Sequence, residues 1–477
     1  MITCNLTFYN LSRKLSITQS KFSTFDYIIL STLPFIITFI SLLYNNYKKI
    51  KKMHHLKILF FITLSLFHNV LSQSSPFNSS VIPIKKDAST SLHKVSGSFR
   101  IPRDDGYNLL VDLGAPFLWR DCVLNNPPNV ACGLEEGCRF PVRCDNPLCK
   151  EARSYDVDPT CPPLSIADKY GCGICAVNPY NPISKVCKLS QLTTDLVTVY
   201  STDGRNPTWG ARFPFGTEMV ISCAPKNILP SFPNDVHGVV AFSWSSLAFP
   251  KQIKDPDVAD KFALCLATTS SAVGVSFLGD GPFYFTNLPK VDLRSFLSYT
   301  PMIRKDSKSL GFYIHLNQIL VKGAPVALPT LKSQSVKLST IMPYTSLRSD
   351  IYKAFVTSFS KAAANIPTVN AVKPFSLCFK SSAISSVPKI DLETESGKIW
   401  TIYKENSVKD VGNGVSCLAF VDGGSKVKDG IVIGTYQMEN NFLYFDLVNQ
   451  KLGFSSSLLA RGTSCGSFNF TELPRTN

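Results

Sequence analysis

The chain has 477 residues, with 49 Lys/Arg, 34 Asp/Glu and a net charge of +15 at pH 7. The first 73 residues hold eight of the Lys/Arg and one Asp, so the remainder carries 41 Lys/Arg, 33 Asp/Glu and a net charge of +8, without a long basic block. Nucleic-acid binding needs a clustered basic face or a recognisable module, and the chain has neither.

The first 73 residues have the composition of targeting segments. Residues 27–44 are almost uncharged and about long enough to enter a bilayer. After a lysine run at 48–52, residues 53–73 combine a short basic stretch, an apolar stretch of about ten residues and a small polar exit, which is typical of a secretory signal peptide. Residues 1–52 are then either an over-extended gene model or an anchor spanning residues 27–44, with the lysines on the cytoplasmic side. We expect a secreted protein of the extracellular space or cell wall, with no membrane contact after signal removal unless that anchor is retained.

Strands dominate the pattern that follows. Residues 98–101 and 107–111 predict paired strands around a turn at 104–106, whereas residues 125–187 are rich in Pro, Asn and Cys and indicate a disulfide-held loop region. Residues 311–323 alternate apolar and polar side chains, which predicts a long strand. Residues 431–458 predict three strands separated by two turns.

One helix stands out in the second half of the chain. Ile351, Phe355 and Phe359 are spaced at i, i+4 and i+8, so they predict one apolar helix face. Ser349 is placed to cap the start of this helix.

Cysteine usage agrees with export. Cys4 lies in the leader and fourteen cysteines remain, an even number that predicts disulfides with a pairing the sequence leaves open. A zinc site at Cys172 and Cys175 has no second Cys-x-x-Cys or His pair at ligand spacing, so we expect neither a metal nor another cofactor. Asn78 and Asn469 begin glycosylation sequons. The disulfide candidates are Cys122, Cys132, Cys138, Cys144, Cys149, Cys161, Cys172, Cys175, Cys187, Cys223, Cys265, Cys378, Cys417 and Cys465.

Two stretches resemble the paired active-site phrases of the pepsin-like aspartic proteinases. The first phrase of that family is hydrophobic-hydrophobic-Asp-Thr/Ser-Gly, with a Trp seven residues after the Asp in the plant branch, and Asp112 and Trp119 keep this spacing. Residues 336–345 resemble the second phrase. Counting back thirteen residues from Tyr352, which opens the following helix, places Ser339 where the second Asp would stand.

Within this fold family, the chain is most similar to a plant branch that has lost the second Asp. That branch comprises the xyloglucan-specific endoglucanase inhibitors, the extracellular dermal glycoproteins, the basic 7S globulins and the wheat-type xylanase inhibitors. The resemblance to this branch is carried by the phrases at 338–345, 421–424 and 465–471, while the phrases at 238–266 and 431–458 are similar to the plant aspartic proteinases in general.

The resemblance implies an all-β-dominated, bilobal pepsin-like fold with a central cleft and a few short helices. We place the N-terminal lobe at residues 81–290, with a Cys-rich insert at 122–187, and the C-terminal lobe at residues 291–471. We expect a monomer.

The chemistry of this family needs both carboxylates, because two close acids share one proton and supply a general base and a general acid around one water. A serine hydroxyl cannot replace the second acid. We therefore expect no functional catalytic residue, with Asp112 as a remnant that ionises like an ordinary carboxylate.

The resemblance also implies binding to a secreted microbial glycoside hydrolase, either an endoglucanase or a xylanase. Such enzymes use two carboxylates around the scissile bond, so a cation on an inserted loop is a suitable blocker. Lys428 is the first candidate and Lys426 the second, and a solvated lysine in a glycine-rich turn is the simpler alternative for both. Two other functions stay open: a globulin-like binding or storage protein, and a residual aspartic endopeptidase that recruits a nearby acid such as Asp350.

Overall fold

The computed structural model describes residues 79–95, 108–121, 140–155, 158–164, 173–197, 199–208, 217–253, 258–306, 308–328 and 335–471. Strands dominate these residues and the helices are few and short, as predicted. The α-helices are α1 (Pro147–Ala152), α2 (Phe249–Gln252), α3 (Ser349–Ala362), α4 (Lys404–Ser407) and α5 (Thr435–Met438). None of these described helices has both the length and the apolar composition required to cross a bilayer.

The largest sheet among the described residues has 16 strands from both halves of the chain. In spatial order its main path is β16 (Ser298–Pro301), β30 (Lys451–Phe454), β29 (Phe442–Asp446), β14 (Lys261–Cys265), β15 (Val273–Gly279), β1 (Ser79–Lys86), β2 (His93–Val95), β3 (Asn108–Asp112), β13 (Val236–Ala241), β4 (Leu118–Asp121), β12 (Thr217–Ala224), β9 (Ser190–Val197) and β5 (Phe140–Pro141). Three short strands join this path from the side: β6 (Ala176–Val177), β10 (Tyr200–Thr202) and β11 (Pro207–Thr208).

The second sheet is built from the C-terminal half alone. Its order is β24 (Ile399–Ile402), β23 (Ile390–Thr394), β17 (Tyr313–Val321), β19 (Ser335–Leu338), β28 (Ile431–Ile433), β20 (Thr345–Leu347) and β27 (Phe420–Asp422), with β18 (Ala324–Pro325) beside β17. A four-stranded sheet contains β21 (Thr368–Val369), β22 (Cys378–Lys380), β26 (Val415–Leu418) and β25 (Val408–Gly412), and β7 (Tyr180–Asn181) pairs with β8 (Val186–Cys187).

The two large sheets contain the same four-strand unit. In the first sheet β3 pairs in parallel with β13, β13 pairs antiparallel with β4, and β4 pairs in parallel with β12. In the second sheet β19, β28, β20 and β27 repeat these three relations in the same order. The turn from β3 to β4 and the turn from β19 to β20 therefore occupy corresponding places in two copies of one motif.

The predicted strands and the predicted helix that lie in described residues are found, and only the capping role of Ser349 is corrected. β17 falls within 311–323, and the 431–458 region forms β28, β29 and β30 with α5 in the first turn. The predicted strand at 98–101 and its turn at 104–106 lie outside the described residues.

Helix α3 buries the predicted face, since Ile351, Phe355 and Phe359 are all inaccessible to solvent. Ser349, however, does not cap it. The helix begins at Ser349 itself, and the Ser349 hydroxyl donates to Asp422 Oδ1 at 2.7 Å instead of turning back onto the helix backbone.

An aromatic cluster joins the two halves beneath the strand that ends at Asp112. Phe262 on β14 stacks on Phe445 of β29 with ring centroids 4.5 Å apart, and Phe312 packs against both rings. Phe242 lies 5.2 Å from Phe262, and its backbone N–H donates to the carbonyl of Asp112 at 2.8 Å. Ring pairs of this kind contribute about 0.5–1.5 kcal/mol each beyond the area they bury, so the cluster stabilises the junction between the two halves of the chain.

Four disulfides are resolved among the described residues: Cys149–Cys175, Cys161–Cys187, Cys265–Cys465 and Cys378–Cys417. Cys144 and Cys223 are disulfide-bonded as well. The disulfide prediction is thus confirmed for these ten cysteines, and the pairing of Cys175 is incompatible with the zinc alternative. The other candidates, Cys122, Cys132, Cys138 and Cys172, lie outside the described residues.

The sequon at Asn469 has the local geometry of an Asx turn. Its Oδ1 accepts hydrogen bonds from the Thr471 hydroxyl at 2.5 Å and from the Thr471 N–H at 3.0 Å. Glycosylation at Asn469 stays a prediction, and Asn78 lies outside the described residues.

Candidate functional site

The candidate site is formed by the two corresponding turns. Asp112 is the last residue of β3, and Ser339 follows β19 directly. The Ser339 N–H donates to the carbonyl of Ile433 on the parallel neighbour β28 at 3.0 Å, which continues the ladder up to the serine. Both residues therefore stand where a strand ends and its turn begins.

A single hydroxyl ties the two turns together. Thr340 Oγ1 donates to the carbonyl of Val111 at 2.6 Å and accepts from the N–H of Leu113 at 3.3 Å. The two backbone groups on either side of Asp112 are thus bound to the residue after Ser339. Leu113 is the residue of the first turn that corresponds to Thr340. It is buried and has no hydroxyl, so its side chain cannot make the equivalent hydrogen bond to the second turn.

Burial dominates the electrostatics of Asp112. The side chain is only 7% exposed, and desolvation raises the pKa of its carboxyl above the ordinary value. The Gly114 N–H, which donates to Asp112 Oδ1 at 2.7 Å, and the positive charge of Lys337 lower this pKa but do not cancel the shift. The expectation that Asp112 ionises like an ordinary carboxylate was wrong, because it ignored the packing around the strand end.

The charged group that acts on Asp112 from the strand before the second turn is a cation. Lys337 lies on β19, two residues before Ser339, and is half-buried. The sequence contained a signal for it, since the active-site phrase requires apolar residues before the acid and a lysine stands there instead. Its positive charge lowers the pKa of Asp112, although burial raises that pKa by more.

The alternative acid, Asp350, is engaged elsewhere. Its two carboxylate oxygens accept from Arg348 Nε and Nη2 at 2.7 and 2.8 Å, and this pairing lowers the pKa of Asp350 to about 2. The side chain is about half exposed at the start of α3. Asp350 therefore faces solvent and an arginine, and its geometry gives no support to a role beside Asp112.

The β7–β8 hairpin also approaches the site, which the sequence did not indicate. Trp119 Nε1 donates to the carbonyl of Tyr180 at 3.2 Å, and the Trp119 ring stacks on Phe232 at 5.7 Å. Burial and the negative charges of Asp158 and Asp112 raise the pKa of Tyr180. The Trp119 that follows Asp112 by seven residues therefore joins β4 to the β7–β8 hairpin.

We expect Asp112→Asn to stabilise the protein at neutral pH. The folded-state pKa of Asp112 lies above its unfolded value, so the folded state holds the proton more tightly and loses stability as the pH rises through this interval. Asparagine keeps the oxygen that accepts from Gly114 and removes the buried charge. The unfolding free energy should rise by about 1–3 kcal/mol at pH 7, with no gain near pH 3, where both forms are neutral.

Urea unfolding of both proteins at the two pH values measures this difference. Asp260→Asn, at a half-exposed carboxylate, is the matched control and should change little. Destabilisation by Asp112→Asn at pH 7 would contradict the effect assigned to burial.

The two inhibitory candidates lie in the loop of residues 422–430, between β27 and β28. Lys426 and Lys428 are exposed, as is Val427 between them. The carbonyls of Gly424 and Gly430 accept from the N–H groups of Ser349 and Arg348, so both ends of the 422–430 loop are bonded to the start of α3.

The next residue, Asp429, fixes the loop from the other side. Its Oδ1 lies 2.6 Å from Lys305 Nζ, and Lys305 also lies 4.2 Å from the centre of the Tyr313 ring. The loop base is held by backbone bonds and one ion pair, while the three residues of the Lys-Val-Lys tip are exposed.

Comparisons with known proteins cover both turns of the site. Two family models match, one described as Xylanase inhibitor N-terminal over residues 99–280 and one as Xylanase inhibitor C-terminal over residues 311–456. The chain is 34% identical over 411 residues to chitinase CLP of Oryza sativa subsp. japonica, and the match covers 82% of this chain and 91% of that protein.

Two solved structures are similar along the same length. The crystal structure of edgp matches with a TM-score of 0.71 at 32% identity and covers 84% of this chain and 100% of its own. Conglutin gamma, described as a unique basic 7S globulin from lupine seeds, matches with a TM-score of 0.69 at 27% identity and covers 83% of this chain and 99% of its own. The pepsin-like fold and the predicted relationship are confirmed by these matches.

Proposed function

Because the chain belongs to the xylanase-inhibitor family, we propose that it is a secreted, catalytically inactive relative of the aspartic proteinases that binds and inhibits a microbial cell-wall-degrading glycoside hydrolase. One observation supports the proposed lack of proteinase activity. The turn that corresponds to that of Asp112 holds Ser339 in place of an acid, and the strand before this turn carries a lysine, Lys337, whose charge acts on Asp112. Since two acids must share a proton in the proteinase mechanism, this site supports binding and not peptide cleavage.

The 422–430 loop supports the inhibitory part. A loop whose ends are already fixed loses little conformational entropy when a partner binds, so more of the contact energy appears as affinity. The exposed Lys426, Val427 and Lys428 offer two cations around one apolar side chain at the loop tip. This composition suits a cleft with an acidic centre.

Glycoside hydrolases place a pair of carboxylates on either side of the scissile bond. An ammonium group inserted between them gains charge-assisted hydrogen bonds in a cleft from which the loop excludes water. Lys428 is our first choice for this contact because it lies next to Asp429, whose ion pair with Lys305 fixes the backbone beside it. Lys426 is the second choice.

The proposal is tested by mixing the purified protein with fungal xylanases and endoglucanases and measuring both polysaccharide hydrolysis and co-elution on size exclusion. We expect loss of activity with at least one enzyme and a stoichiometric complex, in which this chain enters as a monomer. Full activity of every enzyme with no complex would remove the inhibitory function and favour a globulin-like binding or storage role.

The same preparation tests two enzymatic alternatives. Chitin hydrolysis should be assayed because one relative is named a chitinase, and we expect none. Cleavage of a denatured protein at acid pH that is sensitive to a statine-type inhibitor and lost in Asp112→Ala would instead establish a residual endopeptidase.

A further inference from the structure

A buried cluster of ionisable side chains joins the β1–β2 hairpin to α5. Lys86, the last residue of β1, lies directly opposite His93, the first residue of β2. Glu439 follows α5, and its Oε1 lies 2.6 Å from Lys86 Nζ and 3.8 Å from His93 Nε2. All three residues are buried, and His93 and Glu439 are only 0% and 1% exposed. We call these three residues the junction cluster.

The junction cluster lies between the supports of the two turns. His93 belongs to β2, which pairs with β3, the strand that ends at Asp112. Glu439 donates its N–H to the carbonyl of Thr435 at 2.9 Å, and the N–H of Thr435 donates to the carbonyl of Met342 in the second turn at 2.8 Å. Because the cluster connects these two supports, its protonation affects the junction between the two halves of the chain.

The hydrogen bonds of His93 favour its neutral form. His93 Nε2 lies 3.1 Å from the carbonyl oxygen of Ala267, which can only accept, so the ring proton is on this nitrogen. The other nitrogen, Nδ1, has no hydrogen-bond partner among the described residues, and a second proton there would be a buried, unpaired donor. Burial lowers the pKa of His93 from 6.5 to about 4, a shift that the hydrogen bond to Ala267 opposes and the charge of Lys86 increases.

The surroundings of Glu439 favour its protonated form. Its Oε1 contacts Lys86 Nζ, which also donates to the carbonyl of Thr268 at 3.0 Å, whereas Oε2 has no hydrogen-bond partner among the described residues. A buried carboxylate needs several such partners, so one shared cation does not offset its desolvation. Burial raises the pKa of Glu439 from 4.5 to about 7, against the opposing charges of Lys86 and Lys409.

The other groups that face the junction cluster are two tyrosines and a second lysine. The Nζ atoms of Lys86 and Lys409 lie 5.8 and 5.7 Å from the centre of the Tyr436 ring. Burial and the charge of Glu439 raise the pKa of Tyr436 and of Tyr344, so both phenols stay neutral in acid. Burial and the charge of Lys86 lower the pKa of Lys409. The acids that act on Tyr436 from the neighbouring α4 and β25 are Glu405 and Asp410.

We propose that His93 and Glu439 form a compensating pair, in which one proton that the histidine holds in the unfolded chain is held by the glutamic acid in the fold. The pair keeps the stability of the junction between the two halves constant through the mildly acidic range. It is a property of the fold and does not depend on the partner proposed for the 422–430 loop.

The two groups respond to pH in opposite directions. The folded pKa of His93 lies below its unfolded value, so its contribution to stability is present above pH 6.5 and is lost as the pH falls towards 4. The folded pKa of Glu439 lies above its unfolded value, so its contribution is present below pH 4.5 and is lost as the pH rises through 7. Between pH 4.5 and 6.5 the two changes oppose each other, and folding alters the number of protons bound by the pair by roughly zero.

Urea unfolding of the full chain between pH 4.5 and 6.5 tests the compensation, with each variant's unfolding constant divided by that of the parent protein at the same pH. This ratio cancels the contributions of all other groups, including Asp112. Glu439→Gln leaves His93 uncompensated, so we expect the ratio to rise about fortyfold as the pH falls across this range. His93→Gln keeps a donor for Ala267 and leaves Glu439 uncompensated, so the ratio should fall about fortyfold.

Two control variants remove the same chemical groups outside the junction cluster. His315→Gln replaces a partly exposed histidine on β17, and Glu395→Gln replaces an exposed glutamate. The ratio for each should change less than twofold over the same pH range. Ratios for Glu439→Gln and His93→Gln that stay flat, or that change in the same direction, would overturn the proposal.

A spectroscopic measurement on the parent protein does not require either variant to fold. Long-range ¹H–¹⁵N correlation spectra should show the His93 ring neutral at pH 5, with its proton on Nε2. The ¹³C resonance of the Glu439 carboxyl should titrate near pH 7 instead of near 4.5. A His93 ring that is protonated at pH 5, or a Glu439 carboxyl that is already ionised there, would exclude the compensating pair.

Discussion

Replacing Lys428 by glutamate is expected to raise the inhibition constant for a susceptible glycoside hydrolase about a hundredfold or more. Losing one partner of a buried charge pair at an interface costs about 2–5 kcal/mol, and each 1.4 kcal/mol is a factor of ten. The glutamate adds repulsion, since it brings a third carboxylate towards two others. The backbone anchors at Gly424 and Gly430 do not involve the Lys428 side chain, so the loop should keep its shape.

Inhibition assays on this variant need three comparison variants. Lys361→Glu makes the same charge change on an exposed face of α3 and should leave the inhibition constant within about twofold, apart from a small effect on association rate. Lys426→Glu should have an effect between the two. Lys428→Arg should retain inhibition, since arginine grips a carboxylate with two bonds. If Lys428→Glu inhibits as well as the parent protein in a system where inhibition is established, the contact lies elsewhere on the surface.

The second large effect is expected for Gly434→Ala, which should prevent folding or lower the unfolding free energy by at least about 3 kcal/mol. A Cβ at Gly434 would lie 2.4 Å from the carbonyl carbon of Tyr344 and 2.7 Å from the carbonyl oxygen of Met342. Both atoms are backbone and cannot rotate away. The segment they belong to also accepts hydrogen bonds from the N–H groups of Thr435 and Tyr436 at 2.8 and 3.0 Å, so moving it breaks the attachment of α5.

Soluble yield and thermal unfolding measure this prediction. Gly173→Ala is the control, because no described residue lies within 4 Å of a Cβ at that glycine. A Gly434→Ala protein that melts within about 2 °C of the parent would show that the Met342–Tyr344 backbone yields more easily than its bonds suggest.

The elements that were predictable from sequence are those whose signal is local. The alternation in β17 and the apolar spacing of Ile351, Phe355 and Phe359 need only neighbouring residues, and both are found. The second active-site phrase around Ser339 could be recognised for the same reason, because its residues are contiguous in the chain.

The features that could not be predicted from the sequence depend on contacts between residues far apart in the chain. The raised pKa of Asp112 arises from packing and from Lys337, 225 positions away in the numbering of the chain. Ser349 was expected to cap a helix, but Asp422 on β27 takes its hydroxyl.

The pairing of β14 with β29 has a consequence for biosynthesis. Phe262 on β14 meets Phe445 on β29, and Cys265 on β14 bonds to Cys465. A ribosome must therefore release almost the entire chain before this junction can close, and until then β14 presents an unprotected edge of a kind prone to mispairing. Nascent chains that stall before residue 442 should depend on chaperones. A chain truncated just before β29 should aggregate instead of giving a smaller folded protein.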